Sequence, residues 1–245
     1  MRIPALLAAF ATVAFLGSPA FAQDAEKIKA ELKKKMGDAQ IDSVRKVPYG
    51  GLLEVVAGGE IYYTDDKATF LVGGPIIDLK TKENITEARL RQVNAIKWDT
   101  LPFESAVRIT RGNGSRKVAI FEDPNCGYCK RLERDLQGIN DVTVYVFLYP
   151  ILAADSMEKS KSVWCAADRG KAWLDIMLRE TAPTGETKCA TPIDQIMALG
   201  QSKRITGTPT IIFENGDRVP GAVPAAEFEK RLAAKGAVPA PAPTK

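Results

Sequence analysis

With 245 residues, 45% of them apolar, the chain is long enough for one or two globular domains. Its 34 basic and 30 acidic residues are interspersed; the net charge of +4 argues neither for nor against nucleic acid, and Lys33-Lys34-Lys35 reads as a solvated helix face. Histidine is absent, which excludes every Cys–His or Ser–His nucleophile pair and every histidine metal ligand.

The first 22 residues read as an export signal. Arg2 supplies the positive end, Ala5 to Leu16 is nearly all apolar, and Ala20-Phe21-Ala22 is a small-x-small site, with cleavage expected after Ala22. The apolar stretch is too short for a bilayer span of about 20 residues. No later stretch is long enough either, so the mature protein is expected to be soluble, exported and without membrane insertion. The brevity of the signal points to a bacterial periplasm.

Residues 23–96 read as one small module. Ala25, Ile28, Leu32 and Met36 recur at helical spacing, and Gly37 follows as a helix stop. Four short β-type runs come next, at Leu52–Val56, Glu60–Thr64, Thr69–Val72 and Ile76–Leu79. Gly50-Gly51, Gly58-Gly59, Asp65-Asp66 and Gly73-Gly74-Pro75 separate them as turns. A helix from Thr86 to Ile96 closes the module. So small a piece buries few apolar groups alone, and pairing with a copy of itself would bury more. Residues 97–117, with Pro102 and Arg111-Gly112-Asn113-Gly114-Ser115, read as a connection.

The second module, 118–235, opens on Val118-Ala119-Ile120-Phe121, a continuous apolar run suited to a buried strand. A helix from Cys126 to Gln137, a strand at Val142–Tyr149 and helices near 156–168, 171–179 and 193–204 follow. Then come the strand Thr210–Phe213, a turn at Asn215-Gly216 and a last helix near 224–234. This is the order of a thioredoxin fold with a helical insertion. Residues 236–245 are Ala/Pro-rich and read as a disordered tail.

Three features carry chemistry. Cys126-Gly127-Tyr128-Cys129 sits between an apolar strand and an amphipathic helix. Disulfide exchange needs a thiolate, and unpaired N–H groups at a helix start favour one. Cys126 should feel this most, with help from Lys130, Arg131 and Arg134 and opposition from Glu122 and Asp123 if they lie close. Cys129, one turn on, is placed to resolve a mixed disulfide. A zinc site would need about four ligands, and Cys165 and Cys189 are too far apart to form a second close pair, so no metal is expected. In Thr208-Pro209-Thr210, a cis Pro209 would turn the Thr208 backbone toward the cysteines and offer its N–H and C=O to an extended substrate. Cys165 and Cys189 read as a structural bridge fixing the insertion, worth roughly 3 kcal/mol in the chain-entropy model. Four cysteines allow three pairings, however, and the spacing does not choose among them.

At Phe121-Glu122-Asp123-Pro124-Asn125-Cys126-Gly127-Tyr128-Cys129-Lys130, Trp164-Cys165-Ala166 and Gly207-Thr208-Pro209-Thr210 the chain resembles the DsbC/DsbG family of bacterial periplasmic disulfide isomerases. Gly51–Val55 and Gly73–Leu79 resemble that family's N-terminal domain. The resemblance implies an α+β two-domain protein: a small antiparallel, cystatin-like N-terminal domain for dimerisation and a thioredoxin-fold catalytic domain. It implies a homodimer with two such domains facing a cleft, and isomerase with some chaperone activity toward misfolded, disulfide-containing exported proteins. It implies a reduced site maintained by a DsbD-type membrane reductant. No cofactor and no nucleic acid enter that scheme. Gly127-Tyr128 and the Cys165–Cys189 pair resemble the DsbC branch. A DsbG-like reductase and chaperone, or a dithiol oxidase of the DsbA kind, are the alternatives; a large N-terminal module weighs against the oxidase.

Overall fold

The computed structural model describes residues 19–37, 39–181, 187–234 and 236, with side chains from residue 24 onward. Of the expected signal only residues 19–22 fall within it, and of the expected tail only Gly236. The chain forms two compact units that divide between Gly74 and Pro75.

In the first unit, α1 (Pro19–Met36) ends where Gly37 turns to φ +67°. Strands β1 (Ile41–Lys46), β2 (Leu53–Ala57), β3 (Glu60–Thr64) and β4 (Val72–Gly73) form an antiparallel sheet in sequence order. Ile28 and Leu32, one turn apart on α1, pack with Ile41, Leu53, Val55 and Ala68 into its core. Glu54, buried in β2, lies opposite Arg45 on β1 and accepts two hydrogen bonds from its guanidinium, at 2.6 and 2.5 Å. A buried carboxylate is thereby paired across the strands.

Three expectations for this region change. β1 lies outside the four marked runs, because its Asp42, Ser43, Arg45 and Lys46 hide the alternation that pairing with β2 imposes. Of the run at 69–72 only Val72 pairs, in the two-residue β4. There the Asp65 carboxylate accepts from Thr69 N and Oγ1, bending the chain before it can pair. The run at 76–79 is a single bridge, Ile77 to Asn84, since the Asp78 carboxylate accepts from Lys80 N and Thr81 N and starts a turn.

The second unit begins at Pro75, and its first helix is α2 (Ile85–Val93), capped by Asn84, whose Oδ1 accepts from Glu87 N. Helix α2 thus falls on the C-terminal side of the division, although the sequence groups it with the N-terminal module. The expected connection at 97–117 is also corrected. It holds two short 3₁₀ turns, the strand β5 (Val107–Arg111) and the start of β6 (Arg116–Glu122). The 111–115 breakers are a tight turn: Gly112 has φ +59°, and a Cβ there would lie 2.8 Å from Asp141 N. Val107 and Ile109 point inward with a period of two, a pattern too short to stand out beside those breakers.

After β6 come α3 (Gly127–Leu136), β7 (Val142–Leu148), α4 (Ser156–Cys165), α5 (Arg169–Arg179), α6 (Ile193–Ser202), β8 (Thr210–Phe213), β9 (Arg218–Pro220) and α7 (Ala225–Ala233). The sheet order is β5-β7-β6-β8-β9, with β6 and β7 parallel and the other neighbours antiparallel. Residues 118–121 are wholly buried, as expected of a central strand, because both faces of the sheet are covered. Val118 and Ile120 pack toward Leu132, Leu136, Trp173 and Phe228; Ala119 and Phe121 pack toward Ile196, Phe147 and Ile205. Cys165 and Cys189 are joined, with Cα atoms 5.7 Å apart. The chain is therefore α+β, with an antiparallel sheet in the first unit and a mixed sheet with helices in the second.

Candidate active site

The even-numbered residues of β6 face α3 and α5, and the strand ends with Glu122 at their level. A four-residue turn follows, closed by Cys126 N donating to Asp123 O at 3.0 Å. Cys126 then caps α3 with extended backbone, φ −75° and ψ 112°. Its sulfur accepts from Cys129 N at 3.1 Å, taking up one of the N–H groups that a helix start leaves open. In its thiol form the sulfur donates to Thr208 O at 3.3 Å. The Thr208–Pro209 bond is cis, and β8 begins at the next residue. Chain folding thus brings together Cys126, Gly127, Tyr128, Cys129, Thr208 and Pro209, while Cys165 and Cys189 form their own bridge elsewhere.

The two thiols are unbonded and differ sharply. The Cys126 thiol is drawn down to about 6. The hydrogen bond from the Cys129 thiol is the main cause; the Thr208 side chain and the N–H groups of Cys129 and Tyr128 add to it, against the cost of desolvation. Burial pushes the Cys129 thiol far up, helped by its hydrogen bond to Cys126 and by the charge of Glu122. The basic residues expected to assist take little part. Lys130 is paired with Glu180 at 3.0 Å, and Arg131 and Arg134 face solvent. Ultraviolet thiolate absorbance should therefore rise through a midpoint near 6 that disappears when Cys126 is replaced; a titration only in the ordinary thiol range would contradict this geometry.

Beneath the cysteines lies a polar cluster that sequence reasoning missed. Glu133 on α3, wholly buried, accepts from Trp173 Nε1 on α5 at 3.0 Å and pairs with Arg111 on β5 at 3.5 Å. Burial and the neighbouring charge of Glu133 raise the Glu122 carboxyl well above the usual range; Glu133 is raised too, mainly by burial. The signal was present: Glu133 stands four residues after Cys129, on the apolar face of an otherwise amphipathic helix. Two large apolar side chains lie open near the reactive turn, Tyr128 (68% exposed) and Leu152 (53%). Among the described residues no group of three or more Cys, Asp or Glu is arranged for a metal, and no helix is long and apolar enough to cross a membrane.

A thioredoxin-like domain model matches residues 103–236, and a model of the disulfide bond isomerase protein N-terminal domain matches residues 18–87. A probable thiol:disulfide interchange protein DsbC from Bordetella pertussis is 44% identical over 209 residues, covering 85% of this chain and 74% of the relative. The thiol:disulfide interchange protein DsbC of Escherichia coli K12 is 28% identical over 220 residues, 86% of this chain and 89% of that one. A solved disulfide interchange protein from Neisseria gonorrhoeae is 40% identical with a TM-score of 0.52, and the match spans 54% of this chain and 96% of that structure.

Proposed function

Because the chain belongs to the DsbC family of thiol:disulfide interchange proteins and is a thiol–disulfide oxidoreductase, we propose that it reshuffles incorrect disulfides through Cys126 and Cys129. The observation that carries this reading is the asymmetry of the two sulfurs: one thiol is drawn down to about 6 at a helix start, and its neighbour is held protonated by burial.

In this scheme the Cys126 thiolate attacks one sulfur of a client disulfide. A mixed disulfide forms, and the other client sulfur leaves as a thiolate. That thiolate attacks another client disulfide, and the client thiolate set free there attacks the client sulfur bonded to Cys126, so that a new client disulfide forms and Cys126 is released unchanged: isomerisation. If the intermediate stalls, Cys129 gives up its proton and attacks Cys126. The client leaves reduced, and a Cys126–Cys129 disulfide remains. The Thr208 backbone beside the sulfur is suited to pair with an extended client segment, and Tyr128 and Leu152 offer apolar contact without sequence preference. Such contact also supports a chaperone role toward misfolded, disulfide-containing exported proteins.

The first unit is proposed to join two copies. Its core has few buried apolar residues, and Phe70 and Val72 stand open at and beside the edge strand β4. Export to the periplasm, with cleavage after Ala22, and re-reduction by a DsbD-type membrane donor complete the scheme. The test is reactivation of a scrambled multi-disulfide substrate in a redox buffer, together with light scattering of the full mature chain. Reactivation by a dimer is expected. Oxidation of reduced client without reshuffling would favour a dithiol oxidase instead, and a monomer at micromolar concentration would overturn the dimer.

A further inference from the structure

The turn into Cys126 is fastened by a side chain that the scheme above does not use. Asp123 follows β6 and is wholly buried. Its Oδ1 accepts from Asn125 N at 2.7 Å and from Ser156 Oγ at 2.9 Å. Its Oδ2 accepts from Ile151 N at 2.8 Å and Leu152 N at 2.9 Å. A carboxylate has about four lone-pair sites, so all are occupied, and every donor is neutral. Its backbone oxygen accepts from Cys126 N. One residue therefore ties the reactive turn to a segment 28 to 33 positions further along the chain. A second set of bonds repeats the tie. Asn125 Nδ2 donates to Asp155 Oδ1 and Ser156 Oγ, both at 2.8 Å, and Lys159 Nζ donates to Asn125 Oδ1 at 2.7 Å.

We propose that Asp123 is a positioning residue that holds the Cys126 sulfur over the first turn of α3; this rests on the reading of Cys126 as the attacking thiol. The sulfur reaches Cys129 N only while the cap backbone keeps its extended geometry, and that backbone leaves the sheet through the turn Asp123 closes. If the turn loosens, the sulfur loses the N–H groups that favour its charge.

The sign of the effect separates positioning from simple charge. A carboxylate three residues from a thiolate repels it, so removing the charge alone would make the thiol more acidic. Removing the anchor does the reverse. An asparagine in place of Asp123 has one acceptor oxygen and one NH₂ group. Whichever way it is turned, the NH₂ faces at least one backbone N–H, either Asn125 or the Ile151–Leu152 pair. The other titratable groups at the turn are Glu122 at the end of β6, Cys129 on α3, and Asp155 and Lys159 at the start of α4; the variants leave all four in place.

The experiment titrates Cys126 thiolate absorbance in the full mature protein, its Asp123→Asn variant and its Ser156→Ala variant, with circular dichroism to confirm folding. Asp123→Asn should raise the midpoint by about one unit. Ser156→Ala, which removes one of the four bonds, should raise it less. A lowered midpoint in Asp123→Asn would mean that only its charge acts, and an unchanged midpoint that it does not position the sulfur; either result overturns the proposal. Should Asp123→Asn fail to fold, Ser156→Ala decides by the same signs. A wild-type protein with no titration below the ordinary thiol range would instead sink the reading of Cys126 itself, and the proposal with it.

Discussion

Replacing Cys126 by alanine should lower reactivation of a scrambled substrate by at least about a hundredfold, while replacing Cys129 should leave a measurable part of it. The difference follows from where each thiol titrates. With its thiol near 6, Cys126 is about nine-tenths thiolate at neutral pH. Cys129, fully buried and pushed far up, is essentially all thiol, so it cannot substitute as the nucleophile. In Cys129→Ala the attack and the client's own rearrangement remain possible, because neither step uses the second sulfur. Net reduction of a client such as insulin should be lost, since nothing resolves the mixed disulfide, and that covalent intermediate should accumulate on non-reducing gels. The Cys126 midpoint should also rise in this variant, because the hydrogen bond from the Cys129 thiol is the main cause of its depression. Full reactivation by Cys126→Ala would remove Cys126 from the mechanism. Net reduction by Cys129→Ala equal to that of wild type would remove the resolving role.

The second large effect concerns stability. Unfolding free energy should fall as pH rises above about 4.5, and Glu122→Gln should flatten that fall. Glu122 has a folded value well above its unfolded one, so the native state holds a proton that the unfolded chain releases. Its contribution is fully present below the unfolded value and is lost as pH rises toward the folded value. In that window each such group costs about 1.4 kcal/mol per pH unit. Cys126 acts with the opposite sign between about 6 and 9, where its depressed thiol adds stability as pH rises. The difference between the two curves therefore reports the Glu122 proton together with its coupling to Glu133 and the cysteines. Urea midpoints measured from acid to mildly alkaline pH provide the check. Parallel curves for wild type and variant would show that Glu122 is not protonated in the folded state.

The cysteine pair, the strand before it and the helix after it were readable because each is local. A continuous apolar run marks a strand covered on both faces, and Cys129, Leu132 and Leu136 share one helix face at regular spacing. The edge strand β5 was not readable. Its five residues acquire meaning only from pairing with β7, more than 30 residues later. The short β4 and the bridge at Ile77 failed for a related reason: the Asp65 and Asp78 carboxylates capture nearby N–H groups and start turns where the apolar pattern suggested strands. Glu122 and Asp123 are adjacent acids that the sequence suggests would oppose a thiolate. Folding gives them separate settings: one carboxyl beside another buried acid, the other holding four hydrogen-bond donors.

By itself, then, the sequence determined the chemistry on offer: two thiols with two residues between them at a helix start, a Thr-Pro before a strand, and no histidine. It also determined that the central strands are covered on both faces, because a continuous apolar run leaves neither face suited to water. Tertiary structure alone decided how far burial raises the Cys129 thiol, which acids surround the pair and what anchors the turn. Those properties come from desolvation and from partners distant along the chain, such as Trp173, which is 40 residues from Glu133, and Ser156, which is 33 from Asp123. Only the folded chain brings such groups within hydrogen-bonding reach.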